Sequence, residues 1–293
     1  KTLREEIRKA KSKTKGYLGI NIMLALTNYE NLVKVAVDEK IDVIISGAGL
    51  PLKLPEYADK NTKLVPIVSS GRAANIICKS WLKKYNKSPD ALIVEGPLAG
   101  GHLGFSFEEL RDVEGIKLEL ILNDVLAVAR EYEQIGRIKI PVIAAGGIFT
   151  GVDIARMIRL GASGVQMATR FVCTYECDVS EEYKKVFLNA KKEDVVIIKS
   201  PVGLPLRAIK NKFVERILRG EKIKFNCPYK CLKTCEVESV NYCIANALVN
   251  ASKGKFNAGF AVCGENVYRV DRMVSVKDLI GQLEKEAIEE LHK

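Results

Sequence analysis

The chain has 293 residues, 47% of them hydrophobic, and a formal net charge of +10. That is enough apolar material for one large α/β domain or two smaller ones. Its apolar runs, such as residues 41–49 and 195–198, are too short to span a bilayer, and no stretch has the pattern of a signal peptide. A soluble cytoplasmic protein is expected. The basic balance points to anionic partners, such as a phosphate-bearing cofactor or an acidic carrier. Nucleic acid is not expected, because the lysines are spread over helices without interleaved aromatics.

In chain order, a charged helix is predicted at residues 2–12. Apolar runs at residues 17–23, 42–49, 63–70, 91–96, 141–148 and 164–173 then read as strands. Amphipathic helices are predicted near residues 28–39, 73–85, 120–135 and 151–160. Short apolar strands separated by helices imply βα units and a parallel sheet. Each run closes in small or polar residues: Asn21, Ser46-Gly47-Ala48-Gly49, Ser69-Ser70-Gly71, Gly96 through Gly104, Gly146-Gly147 and Met167-Ala168-Thr169. Such ends on every strand favour a (β/α)8 TIM barrel over a doubly wound sheet, which uses a single crevice. Only six strands can be read, and six cannot close that barrel without exposing sheet edges. The expectation is a TIM barrel lacking its first two strands, with about 50 or more further residues before this sequence.

After Cys173 the pattern changes. A further apolar run covers residues 195–201, and residues 201–205 are turn-rich. A cysteine-containing segment, a helix near residues 241–251, a Gly-rich loop at 254–264 and a helix at 277–292 follow. These read as a helical lobe over the barrel mouth, with the barrel domain at 1–209 and the lobe at 210–293. The chain holds eight cysteines. Cys227, Cys231, Cys235 and Cys243 cluster at spacings unlike the usual zinc ribbon pairs. On a helix the first three would stack along one face. Buried or capping thiols are the default reading and no metal is assigned; zinc or iron–sulfur binding is the alternative.

His102 is one of only two histidines. It sits in Gly100-Gly101-His102-Leu103-Gly104, at the C-terminal end of the run 91–96, where α/β enzymes place their chemistry. Flanking glycines leave the imidazole uncovered, and its unperturbed pKa lies near neutrality. Further on, a strand stops in Gly146-Gly147, and about twenty residues later comes Gly161-Ala-Ser-Gly164-Val-Gln166-Met167-Ala168-Thr169. Two such turns suit a phosphate cup, in which glycines expose backbone N–H groups and a short helix points its N-terminus at the anion. Thr169 can add a hydroxyl donor. These glycines do not form the Gly-x-Gly-x-x-Gly dinucleotide fingerprint.

Together the run from Ile93-Val94-Glu95-Gly96 through Gly104, the run Pro141 through Ile148 and the run Gly164 through Phe171 resemble the nitronate monooxygenases, formerly called 2-nitropropane dioxygenases. Their superfamily includes the flavin-dependent enoyl-acyl-carrier-protein reductases. The likeness covers about residues 17–208, and Lys199-Ser-Pro-Val-Gly203 also fits. It implies a barrel holding flavin mononucleotide (FMN). Asn21 would meet the flavin ring or ribityl chain, and Glu95 would face the cofactor. Gly100, Gly146, Gly147, Gln166, Met167, Ala168 and Thr169 would line the ring edge and phosphate, and His102 matches the family's active-site histidine. One departure is that the family's opening strand with its Gly-Gly-Met-like turn, and the strand after it, are not in this sequence.

The implied activity is oxidation of an alkyl nitronate by O2 to a carbonyl compound and nitrite, in a homo-oligomer. The alternatives are an NAD(P)H-dependent enoyl-acyl-carrier-protein reductase, whose acidic carrier the basic surface would suit, and a flavin-binding or scaffold protein without turnover.

Overall fold

Every apolar run of the first half forms a strand, and these strands lie parallel. A computed structural model describes residues 2–293. The strands are β1 (Gly19–Met23), β2 (Val43–Gly47), β3 (Lys63–Val68), β4 (Leu92–Glu95), β6 (Val142–Ala145) and β7 (Gly164–Gln166), joined side by side in that order. The strand β5 (Gly101–His102) belongs elsewhere. It pairs antiparallel with β9 (Pro205–Ile209), which pairs in turn with β8 (Val195–Lys199). The six-stranded sheet curls as part of a TIM barrel. It is open: β1 pairs only with β2, and no described strand flanks the outer edge of β1 or of β7.

Alternation along the strands explains the layering. Parallel strands are apolar on both faces because helices cover one and the barrel interior takes the other. On β2, Ile44 faces outward and is fully buried with Val33, Ala36, Ile77 and Trp81. Its neighbour Ile45 faces the interior cluster of Val65, Ile93 and Ala145. Burying each large aliphatic side chain stabilises the fold by roughly 1.5–3 kcal/mol. Several interior residues, including Ile45, Ile67 and Ile143, are only half-buried.

The helices begin where the sequence supplies caps. Ser70 Oγ accepts from the Ala73 N–H at the start of α4 (Gly71–Tyr85). Thr150 and Asp153 form a reciprocal capping box at α6 (Gly151–Arg159), a pattern that satisfies two orphan N–H groups at once. Helices α1 (Thr2–Lys13), α2 (Tyr29–Asp38), α3 (Leu54–Tyr57) and α5 (Leu118–Gly136) complete the first half. Among the described residues no helix is long and apolar enough to cross a membrane.

Two expectations are corrected. The run 164–173 divides into β7 and the short helix α7 (Thr169–Val172). The region after Cys173 is richer than read, with α8 (Glu181–Leu188), the hairpin β8–β9, α9 (Lys212–Leu218), α10 (Ile244–Ser252) and α11 (Val276–Leu291). The cysteine segment forms no helix. Residues 221–243 hold only turns and one bridge, with Lys230 in the left-handed region at φ 42° and Pro228 nearby. Proline and a left-handed residue both break helical hydrogen bonding. Helix α11 packs against α6 in the outer helical layer, and residues 262–266 reach back to the strand ends.

Candidate active site

The C-terminal ends of β4, β6 and β7 enclose a cavity of about 350 Å³, within the ~300–1,000 Å³ usual for small-molecule sites. Glu95, Gly100, Gly146, Gly147, Gln166, Met167, Ala168 and Thr169 all line it. Asn21 and His102 do not. Asn21 is exposed on β1, and His102 follows the lining residue Gly101.

The cavity lining offers groups that could hold an anion. Gly146 and Gly147 have φ of 92° and 84°, a conformation that turns the backbone at the end of β6 and that a Cβ would strain. Among the described residues, the N–H groups of Gly147, Ile148, Ala168 and Thr169 find no acceptor in the protein. Thr169 Oγ accepts from the Gly264 N–H at 3.0 Å, which leaves its hydroxyl proton free to donate. Arg170 lines the same cavity; its guanidinium donates to the Phe149 carbonyl at 3.1 Å and lies 4.9 Å from the Phe149 ring centre. Arg269 lies 4.4 Å from that ring centre. Burial, and then the positive charges of Arg272 and Arg269, lower the Arg170 pKa, against the opposing pull of Glu286 and Asp271. Orphan donors beside guanidinium groups fit a phosphate dianion.

Glu95 closes the β4 side of the cavity. Burial alone raises its carboxyl pKa to about 7, because a low-dielectric surrounding disfavours the charged form. A carboxyl near half-protonated at neutral pH can donate a hydrogen bond as well as accept one.

His102 is held by tertiary contacts that its neighbours in sequence do not supply. Its Nε2 lies 2.7 Å from Ser200 Oγ, in the turn between β8 and β9. Ser200 Oγ also accepts from the Val202 N–H at 3.2 Å, and its hydroxyl proton can be donated to Nε2, an arrangement that would put the imidazole proton on Nδ1. Burial lowers the His102 pKa to about 4, which keeps the ring neutral near pH 7. Behind it, the buried Arg207 of β9 donates from Nη1 to the carbonyls of Pro97 and Ala99, pinning the loop that leads into β5. Arg207 Nε stands 2.9 Å from Glu265 Oε2, close enough for an ion pair although the N–H does not aim at the oxygen.

Several site residues were not foreseen as such. Ser200 lies in the run Lys199–Gly203 and Arg170 in the run Gly164–Phe171, but nothing in sequence spacing pairs Ser200 with His102. Residues 263–266 line the cavity from far along the chain, with Asn266 Nδ2 donating to the Gly147 carbonyl at 2.7 Å. The glycine-rich run before them was their one visible signal.

Comparison with known proteins gives the family. The nitronate monooxygenase family profile matches residues 1–286. A probable nitronate monooxygenase of Staphylococcus aureus is 33% identical over 132 residues, 45% of this chain and 35% of that protein. One from Staphylococcus saprophyticus is 27% identical over 191 residues, 64% of this chain and 50% of its own length. The chain thus matches half or less of these curated relatives. Among solved structures, FabK from Thermotoga maritima superposes with a TM-score of 0.78 at 30% identity, covering 99% of this chain and 82% of that one. A nitroalkane oxidase from Streptomyces ansochromogenes gives 0.75 at 19% identity over 99% and 85%, a likeness of fold alone. The chain belongs to the nitronate monooxygenase family.

Proposed function

We propose that this protein is an FMN-dependent oxidoreductase that converts alkyl nitronates and O2 to a carbonyl compound and nitrite. The observation that carries this reading is the cavity at the strand ends, where unpaired N–H donors meet Arg170. Gly146, Gly147, Ala168 and Thr169 would hold the FMN phosphate, and Glu95, Gly100, Gln166 and Met167 would line the rest of the cofactor. Bound flavin supplies the electron-transfer chemistry, while the protein positions reactants and excludes water. Residues 210–293 would serve as a second part built onto the barrel domain 1–209.

The neutral His102 would donate from Nδ1 to a substrate oxygen, held in place by Ser200. An imidazole with a pKa near 4 is a weak base for a carbon-bound proton. A nitronate, already deprotonated, therefore suits this site better than a neutral nitroalkane.

The likeness to FabK, an enoyl-acyl-carrier-protein reductase, at 30% identity favours a second reading. There the same cavity would take FMN, a nicotinamide cofactor would supply the hydride, and the charge of +10 would attract an acidic carrier. Absorption spectra of the purified protein with added FMN test both. A yellow protein that bleaches anaerobically with ethylnitronate supports the first. Bleaching by NADH but not by the nitronate selects the second. Failure to bind FMN at all would overturn both.

A further inference from the structure

The two glycine-bearing lips of the cavity do not hold one another through their backbones. Beyond the last β6–β7 pairing, Ala145 with Gln166, no backbone hydrogen bond among the described residues joins residues 146–150 to residues 167–170. The Arg170 side chain bridges them at the Phe149 carbonyl. A third segment, residues 262–266, reaches both from far along the chain.

This segment bonds to each of the three loops that line the cavity. The Glu265 N–H donates to the Leu98 carbonyl at 3.1 Å, the Gly264 N–H to Thr169 Oγ1 at 3.0 Å, and Asn266 Nδ2 to the Gly147 carbonyl at 2.7 Å. Its flanks are pinned: Ala261, Cys263 and Val267 are buried, and Val262 is bridged to Ala208 of β9. The crossing needs a bare backbone beneath it, because a Cβ on Gly100 would stand 2.6 Å from the Cys263 carbonyl carbon. The segment's acid is drawn off by a cation, with Glu265 Oε2 at 2.9 Å from Nε of the buried Arg207.

Two of these contacts orient donors of the cavity. A peptide group is planar and trans, so its C=O and N–H point in opposite directions. Holding the Gly147 carbonyl at Asn266 therefore sets the direction of the Ile148 N–H, which has no acceptor among the described residues. At Thr169, the Gly264 N–H occupies one lone pair of Oγ1 and leaves the hydroxyl proton to point elsewhere. Donors aimed before a ligand arrives bind it more tightly, because their ordering cost is already met.

We propose that Asn266 is a positioning residue of the cofactor site: through the Gly147 carbonyl it aims the Ile148 N–H at the phosphate of bound FMN. The Gly264 N–H does the same for the Thr169 hydroxyl. This rests on the FMN reading of the cavity. It adds a residue, 119 positions from Gly147 in the chain, on which recognition of the phosphate depends.

The test compares FMN with riboflavin, which has the same ring and ribityl chain but no phosphate. Each is titrated into flavin-free protein and followed by quenching of flavin fluorescence. Asn266→Ala should weaken FMN about tenfold, the scale of one hydrogen bond to a charged group, and leave riboflavin within about twofold. Asn266→Asp should weaken FMN by about a hundredfold, because a carboxylate repels both the Gly147 carbonyl and the phosphate. Equal loss of the two flavins would mean a merely structural role and overturn the proposal, as would unchanged FMN affinity in Asn266→Asp. If the variants do not fold, or riboflavin binds too weakly to measure, amide NMR of the isotope-labelled parent gives a second readout. The Ile148 amide signal should shift when FMN binds, and an unmoved signal would overturn the proposal. A parent that binds no flavin defeats the proposed function instead. Inorganic phosphate, followed by phosphorus NMR line broadening, then decides the inference alone. Binding that Asn266→Asp loses supports it; no binding, or equal binding in variant and parent, overturns it.

Discussion

His102 Nε2 and Ser200 Oγ lie 2.7 Å apart although 98 positions separate them in the chain. The contact exists because β5 pairs with β9, which places the β8–β9 turn beside the histidine loop. If His102 handles the substrate and Ser200 orients it, the two substitutions should differ in kind. His102→Ala should keep flavin bound and cut turnover at least about 100-fold, the usual scale for a positioned acid–base group. Ser200→Ala should cost about tenfold, mostly in kcat, and should move the pH profile because the imidazole loses its hydrogen-bond partner. Turnover of His102→Ala within about tenfold of the parent would count against its role.

Gly147→Val should release the flavin. At φ 84° a β-branched residue is strained, and its Cβ would stand 3.0 Å from Leu98 Cβ, forcing the backbone away from the phosphate position. Purification with full yellow colour, at an unchanged melting temperature, would sink the phosphate-cup assignment.

The Glu95 carboxyl gives a pH dependence with a definite sign. Its ordinary value is 4.5 and burial raises it to about 7. Between those values the native state binds more protons than the unfolded chain, so this group makes stability fall as pH rises. Glu95→Gln should therefore match the parent near pH 4 and exceed it above pH 7, by up to about 3 kcal/mol. Urea unfolding at several pH values measures this. A difference that does not grow with pH would mean that Glu95 is not desolvated as described.

The docking of α11 on α6 rests on a close approach. A Cβ at Gly151 would lie 2.3 Å from Glu286 Cβ and 2.4 Å from the Leu283 carbonyl oxygen. The Gly151 N–H also donates to Glu286 Oε2 at 2.8 Å. Gly151→Ala should destabilise the fold by about 1–3 kcal/mol, the usual cost of overpacking. Denaturant melts with an unshifted midpoint would contradict this packing.

Local chemistry alone made much of the molecule legible. The alternation of apolar strands with amphipathic helices dictates parallel βα units, because each pattern has its own period and must bury its own face. All six strands of the curled sheet were readable, and so was the open edge beside β1. The glycine turns at residues 146–147 and the run 166–169 were readable for the same reason, since they announce a backbone that must turn sharply and expose N–H groups. What sequence did not disclose were the relationships set by packing across the chain: Ser200 against His102, residues 263–266 over the cavity, and Arg207 under the loop at Pro97 and Ala99. Strand β9 escaped because it follows directly on the turn-rich stretch 201–205 and pairs antiparallel with a strand only two residues long. The path of the cysteine segment was not legible either. Its spacing matches a helix, but Pro228 and the left-handed Lys230 break that period, and tertiary anchoring rather than propensity sets its path. Sequence determined the elements and the chemistry at their ends because those follow from local sterics and periodicity. Tertiary structure alone decided which distant side chains meet and how far water is excluded from Glu95 and His102, since burial belongs to the assembled fold and not to any segment of it.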